Sequence, residues 1–308
     1  MLFSLESLSV SALQVLTLGI VSSSCSLIGL FLFYRRATMM ANAISHTVLL
    51  AIVATCLIQQ GVFTLFFKRP VIASVQLDTL PAFSLEWILI ASVMMAYLTY
   101  FTVQILSSRF KVPIEASIGL ALSAYFSLGI LLITLFGRNS HIGIETIMGN
   151  IDAVSAHDVF WMLVVFIITL STLSLCFKEL ITSSFDPLFA QSVGISTEKI
   201  ELVLMMLTGA IVITSFKAIG YILVLAFLVG IPLCARLFLG KRATMTSMVI
   251  LSLGLSWGFS AIAVLLAQLI FLCCDFSLST GGLAVSLILL CSCLCFFPAK
   301  RLSLLSQE

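Results

Sequence analysis

An all-α polytopic membrane protein is the fold class this sequence predicts, and three observations predict it. Hydrophobic residues make up 61% of the 308 residues and charged residues only 9%, where a soluble domain carries roughly a quarter charged. Mean hydropathy is +1.24. The apolar residues also fall into runs of the length that crosses a hydrocarbon core, about 20 residues for about 30 Å. These leave room for about eight to nine transmembrane helices and little else, so residues 1–308 read as a single transmembrane domain. The net charge of +2, with its basic residues scattered through short loops, points away from a nucleic-acid partner and towards membrane lipid.

The runs fall at about 10–33, 39–66, 86–107, 113–136, 158–181, 198–215, 218–238, 244–272 and 282–297. The first lacks a basic flank and a small-residue cleavage site, so it is expected to stay as a span. Arg35-Arg36, Arg109 with Lys111, Lys178, Arg236 with Lys241-Arg242, and Lys300-Arg301 occupy alternate connections. Placing those in the cytoplasm satisfies the positive-inside rule, with the N-terminus outside and the C-terminus inside; Lys68-Arg69 and Arg138 are exceptions. Glu86, Glu115, Asp158, Glu198 and Glu201 stand near predicted span starts, where the helix dipole and headgroups favour a carboxylate. The seventh run contains Gly220, Gly230 and Pro232, which predict a kink or a broken helix and a gating element.

One polar interruption stands out, residues 184–196 between the fifth and sixth runs. Asp186-Pro187 is a helix start signal and Gly194 a helix stop, so a short amphipathic helix is expected on the cytoplasmic surface. Asp186, Gln191 and Ser192 keep it out of lipid, and Phe185, Leu188, Phe189 and Val193 need something to dock on. A soluble partner is the expected occupant, with the helix as the coupling element.

His46 is the one histidine inside a predicted span, and Asn42 lies one helical turn before it on the same face. Imidazole suits borderline divalent metals and an amide oxygen is a weak hard ligand, so the pair could line a metal path. A buried histidine hydrogen-bonded to a neighbouring helix is the plainer alternative. No carboxylate falls at mid-membrane, which weakens a proton- or sodium-coupled carrier. The nine cysteines read as packing; Cys291, Cys293 and Cys295 turn away from one another on a helix and cannot converge. The methionine pairs read as apolar filler. His141, Glu145, Asp152 and His157 fall in an outer connection that could face an external partner. No catalytic or cofactor-binding residue is expected. The His-Glu-x-x-His pattern is absent, Ser45 beside His46 faces away from it, and Leu239-Gly240-Lys241-Arg242 fails the phosphate-loop spacing, so this chain has no ATP-binding loop of its own.

The segment RRATMMANAISHTVLL resembles the early motif of permease subunits of bacterial ABC importers for zinc, manganese and iron, the metal-uptake ABC-3 family. IEASIGLALSAYFSLGILL (114–132), MGNIDAVSAHDV (148–159), SFDPLFAQSVGIS (184–196), KAIGYILVLAFLVGIPLCAR (217–236) and the turn Ser279 to Gly282 follow in the family's order. The resemblance covers nearly the whole chain. It implies a type II-like ABC importer permease in a bacterial inner membrane, carrying a divalent metal ion as substrate. Two permease chains would enclose a central path, an external metal-binding protein would deliver the ion, and a separate cytoplasmic ATPase would use the ATP. By the same resemblance Phe185, Asp186, Pro187, Leu188, Phe189 and Gly194 belong to the coupling helix, and His46 with Asn42 to the metal path. An ATPase-independent carrier is the alternative.

Two departures from the family pattern matter. Most members resemble Gly-Asp-Ala-Ile/Leu-Ser-His where this chain has Ala41-Asn42-Ala43-Ile44-Ser45-His46. A neutral amide there removes a charge from the path, and a sister permease that keeps the aspartate would restore it, so a heterodimer is expected over a homodimer. Tyr221 and Phe227 also replace residues that are small in relatives, so packing around the seventh run is expected to differ.

Overall fold

A computed structural model describes residues 2–67, 85–136, 154, 156–240, 244–274 and 279–304, and the described residues form helices joined by short turns. In chain order these are α1 (Leu2–Tyr34), α2 (Thr38–Phe67), α3 (Leu85–Phe110), α4 (Ile114–Phe136), α5 (Ala156–Leu175), α6 (Phe177–Phe185), α7 (Pro187–Ser192) and α8 (Thr197–Ile219). They continue as α9 (Tyr221–Leu225), a π-helical segment (Ala226–Gly230), α10 (Ile231–Leu239), α11 (Met245–Cys274) and α12 (Thr280–Leu304). Among the described residues seven helices are long and apolar enough to cross a membrane, and Leu223–Leu239 and Thr280–Phe296 are two shorter apolar ones. The predicted runs are therefore found in order, and the all-α fold class stands.

Burial sorts the spans. The apolar window of α1 is 89% buried and that of α4 only 22%, so α1 is a central post and α4 belongs to the rim. Around α1 pack α5, α8, α10 with the π segment, and α11; α2 packs on α3, α4 and α8. Lipid offers apolar side chains no hydrophobic reason to leave it, so close packing and interhelical hydrogen bonds must hold such a bundle. Serines supply these bonds between α1 and α11. Ser22 and Ser260 share a hydrogen bond at 3.1 Å, and Ser26 and Ser256 one at 2.9 Å. Thr99 of α3 donates to Thr47 of α2 at 3.1 Å, and Ser92 of α3 donates to the Gly209 carbonyl of α8 at 3.4 Å.

The seventh run is broken as its sequence predicts, and in two distinct ways. Gly220 adopts φ +77°, outside the range comfortable for other residues, and ends α8 with its N–H on the Phe216 carbonyl at 2.9 Å. Further on, Pro232 lacks an N–H, and in a regular α-helix its ring would collide with the carbonyl four residues earlier, that of Leu228. The widened π turn at Ala226–Gly230 accommodates the ring. Phe227, expected to alter packing, is wholly buried.

Opposite that turn, α1 comes up at backbone contact, because a Cβ added to Gly29 would fall onto the Leu228 carbonyl oxygen. Nothing there can yield except backbone. Gly29→Ala should therefore destabilise the protein by about 1–3 kcal/mol through overpacking. Gly254→Ala, where a Cβ meets nothing within 4 Å, should not. Thermal unfolding followed by fluorescence-detected size exclusion reads the difference, and equal melting of the two variants would refute the close approach.

One expectation needs correction. The fifth run, expected as one span over 158–181, breaks at Cys176 (φ −98°, ψ 16°), and Phe177–Phe185 forms a separate surface helix. The polar pair Lys178-Glu179 cannot stay in the hydrocarbon, so the chain turns aside one residue before Phe177. Asp158 stands in the first turn of its span as expected, buried at 2% exposure where α5 packs on α1 and α8.

Candidate functional site

The first candidate residues lie on α2, whose first half follows the two-residue turn at Arg35-Arg36. Ala41, Ala43, Ile44 and Ser45 are buried against neighbouring helices, while Asn42 and His46 are half-buried. The small residues on either side let α2 sit close to its neighbours, and the two polar side chains are left one turn apart along the remaining face. The His46 ring meets Phe126 of α4 edge-on, with centroids 5.4 Å apart and planes at 73°. Among the described residues no three His, Cys, Asp or Glu come together as a metal cluster. An imidazole and an amide give at most part of a coordination sphere, so an ion passing here would need further donors from water or another chain.

The second candidate region is α6 and α7, on the same end of the bundle as the α1–α2, α3–α4 and α10–α11 connections that carry basic residues. α6 buries Leu180 and Ser183 and rests on the end of α1. The Phe31 and Phe177 rings meet edge-on at 6.3 Å, and the Tyr34 and Phe185 rings lie 5.1 Å apart, tilted at 43°. The chain then extends at Asp186, whose carboxylate accepts the Phe189 N–H at 2.9 Å and caps α7, with Pro187 in the first turn.

The far end of α7 closes as a Schellman motif. The Gly194 N–H donates to the Gln191 carbonyl at 3.0 Å and the Ile195 N–H to the Ala190 carbonyl at 2.9 Å, with Gly194 at φ +88°. Six residues cannot hold a helix alone in water, so the two caps and the buried Ala190 fix its shape. What they present outward is apolar. Phe185 is 59% exposed, Leu188 77%, Phe189 56% and Val193 61%. A pre-shaped apolar knob with its own polar groups satisfied suits a groove on a soluble partner.

The remaining candidates are placed as follows. Gly220 is at the α8–α9 break and Pro232 is buried at the start of α10. Gly230 packs so tightly on α12 that an added Cβ would lie 2.6 Å from the Ile288 Cγ2. His157 is exposed, with its Nε2 accepting the Trp161 indole N–H at 3.2 Å; His141, Glu145 and Asp152 lie outside the described residues. The side chain of Tyr221 lies outside them as well. Sequence reasoning missed the aromatic seat of α6 on α1 and the contacts of Arg35 described below. The charged pair Lys178-Glu179 was the available signal for α6; nothing local marks the others.

A bundle of helices long and apolar enough to span a membrane, with a capped, outward-facing apolar helix at one end, defines a class, the polytopic membrane proteins. The fold is that of ABC permeases: the chain superimposes on the structure of PsaBC from Streptococcus pneumoniae in complex with Fab with a TM-score of 0.69, over 96% of this chain and 93% of that one, at 24% identity. The chain belongs to the ABC 3 transport family, whose model it matches over residues 9–299. It is 31% identical to a protein named probable metal transport system membrane protein from Chlamydia trachomatis serovar D, over 98% of this chain and 89% of that one. It is 34% identical to the manganese transport system membrane protein MntD of Bacillus subtilis strain 168, over 77% of each.

Proposed function

We propose that this chain is the permease subunit of an ABC importer that moves a divalent transition metal ion into the cytoplasm of a bacterial cell across its inner membrane, with manganese ahead of zinc and iron. The observation that carries the reading is the doubly capped α7 with its exposed Phe185, Leu188, Phe189 and Val193. An ATPase-independent carrier has no use for such a knob, whereas a separate ATPase needs one to push on. Manganese comes first because relatives spread over several organisms are named for it. His46 and Asn42 serve as this chain's share of the metal path, and Gly220, Gly230 and Pro232 as the hinge around which α9 and α10 move.

Asn42 brings no charge to a cation. A second permease chain with a carboxylate at the matching position supplies it, so the active assembly is a heterodimer above its ATPase, with an external binding protein delivering the metal. Purification in mild detergent followed by mass measurement of the intact complex tests the assembly. Two permease species in equal amounts with bound ATPase are expected. A single permease species in an active complex contradicts the heterodimer, and an active permease without any ATPase contradicts the importer.

A further inference from the structure

Any push on α7 has to reach α2, where His46 and Asn42 stand, and two contacts tie the segment around α7 to the turn that precedes α2. Just ahead of α7, the last residue of α6, Phe185, rests its ring on Tyr34. From within α7, Gln191 Nε2 donates to the Thr197 Oγ1 at 3.2 Å, and the Thr197 carbonyl accepts from Arg35 Nη2 at 3.4 Å. Both ends of the knob are thus tied to consecutive residues, Tyr34 and Arg35, at the turn that joins α1 to α2. That turn is tight, with the Arg35 N–H on the Phe31 carbonyl at 3.0 Å, the Ala37 N–H on the Leu32 carbonyl at 2.9 Å and Arg36 at φ +57°. A displacement of Arg35 cannot be absorbed by slack before it reaches α2.

The guanidinium is also incompletely satisfied. Arg35 Nη1 is buried and has no hydrogen-bond partner, an uncommon state for a buried donor and one that calls for a reason. Two groups on facing helices lie within its electrostatic reach, the Glu201 carboxylate of α8 and the Tyr100 hydroxyl of α3. The hydroxyl is already committed, donating to the Glu198 carbonyl at 3.4 Å and accepting from Gln104 Nε2 at 3.3 Å. Glu201 attracts the guanidinium without bonding to it, and burial, which pulls the Arg35 pKa down, is opposed mainly by that carboxylate. A planar fork held by one nitrogen on a carbonyl, with its other terminal nitrogen unbonded and a carboxylate on α8 acting on it electrostatically, is one partner short of the bidentate pairing that guanidinium and carboxylate favour.

We propose that Arg35 is a positioning residue of the transport cycle, exchanging its guanidinium between the Thr197 carbonyl and the Glu201 carboxylate as α7 moves, and so transmitting that movement to the metal-path helix α2. The inference rests on the proposed ATPase-driven import. The whole complex in proteoliposomes therefore reads three quantities from the same preparation: ATPase bound per permease, ATP hydrolysed, and Mn2+ taken up per ATP. Arg35→Gln and Glu201→Gln should each keep ATPase bound and hydrolysis within about twofold of the parent while uptake per ATP falls at least about tenfold, since both leave the docking knob intact. The double variant should be no worse than either single one, because one interaction has been removed twice over. Arg35→Lys, which keeps the charge and loses the fork, should fall between the parent and Arg35→Gln.

Parental uptake per ATP in Glu201→Gln overturns the exchange even if Arg35→Gln fails to fold. So does an uptake loss that merely tracks lost ATPase, because a purely structural role predicts that pattern. Absence of ATPase from the parental complex is a different failure, that of the importer reading itself.

Discussion

Phe189→Asp should strip the ATPase from the purified complex while leaving the permease folded. Phe189 is 56% exposed on the outward face of α7, so a carboxylate there is solvated in the free subunit and costs the fold little. Its backbone N–H, which the Asp186 carboxylate accepts at 2.9 Å, survives the substitution, so the cap stays. In the docked state the same carboxylate would sit desolvated in an apolar groove with nothing to pair with it. Leaving one charge buried and unpaired costs about 3–5 kcal/mol, more than two decades in affinity at about 1.4 kcal/mol per decade. Pull-down of the ATPase with the tagged permease reads this directly. Retained binding with full coupling would move the contact elsewhere, with residues 236–242 the next segment to test.

His46→Ala should abolish metal uptake in a complex that still assembles and hydrolyses ATP. The side chain is half-buried on α2, one turn beyond Asn42, and its removal takes the imidazole nitrogen away from the proposed path. Loss of a partner that merely orients a ligand already costs about 10–100-fold in metal affinity, and removal of the ligand itself should exceed that. The substitution also leaves a gap beside Phe126, whose ring lies 5.4 Å away, so His46→Phe belongs in the same experiment. It restores an aromatic contact without a nitrogen donor and should be as inactive as His46→Ala. Uptake at the parental rate in either variant would remove His46 from the path.

How far these sites were legible depends on how local their determinants are. α7 could be read almost whole, because its start and stop are chemical devices contained in a dozen residues: the Asp186 cap, Pro187 in the first turn, and Gly194 at positive φ. His46 could be read too, since a titratable ring inside an apolar run needs no partner to be noticed. α6 could not, because hydrophobicity alone carries the fifth run through Leu175 to Ile181, and only the pair Lys178-Glu179 hints at a turn aside. Gly29 looks like any glycine in a span until the Leu228 carbonyl is placed against it. Pro232 announced a distortion without saying that a π turn would absorb it. The Arg35 to Thr197 bond joins positions 162 residues apart, and a basic residue in a short cytoplasmic loop satisfies the positive-inside rule without any partner.

ATP-driven accumulation of Mn2+ is the measurement that bears most directly on the central claim. Proteoliposomes holding the permease with its co-purified ATPase would carry ATP in the lumen, on the side that α7 faces, and metal-loaded binding protein outside. Accumulation against a gradient is predicted with ATP, none with a non-hydrolysable analogue, and none with Phe189→Asp. Equal accumulation without ATP, or by the permease alone, would contradict ATP-driven import.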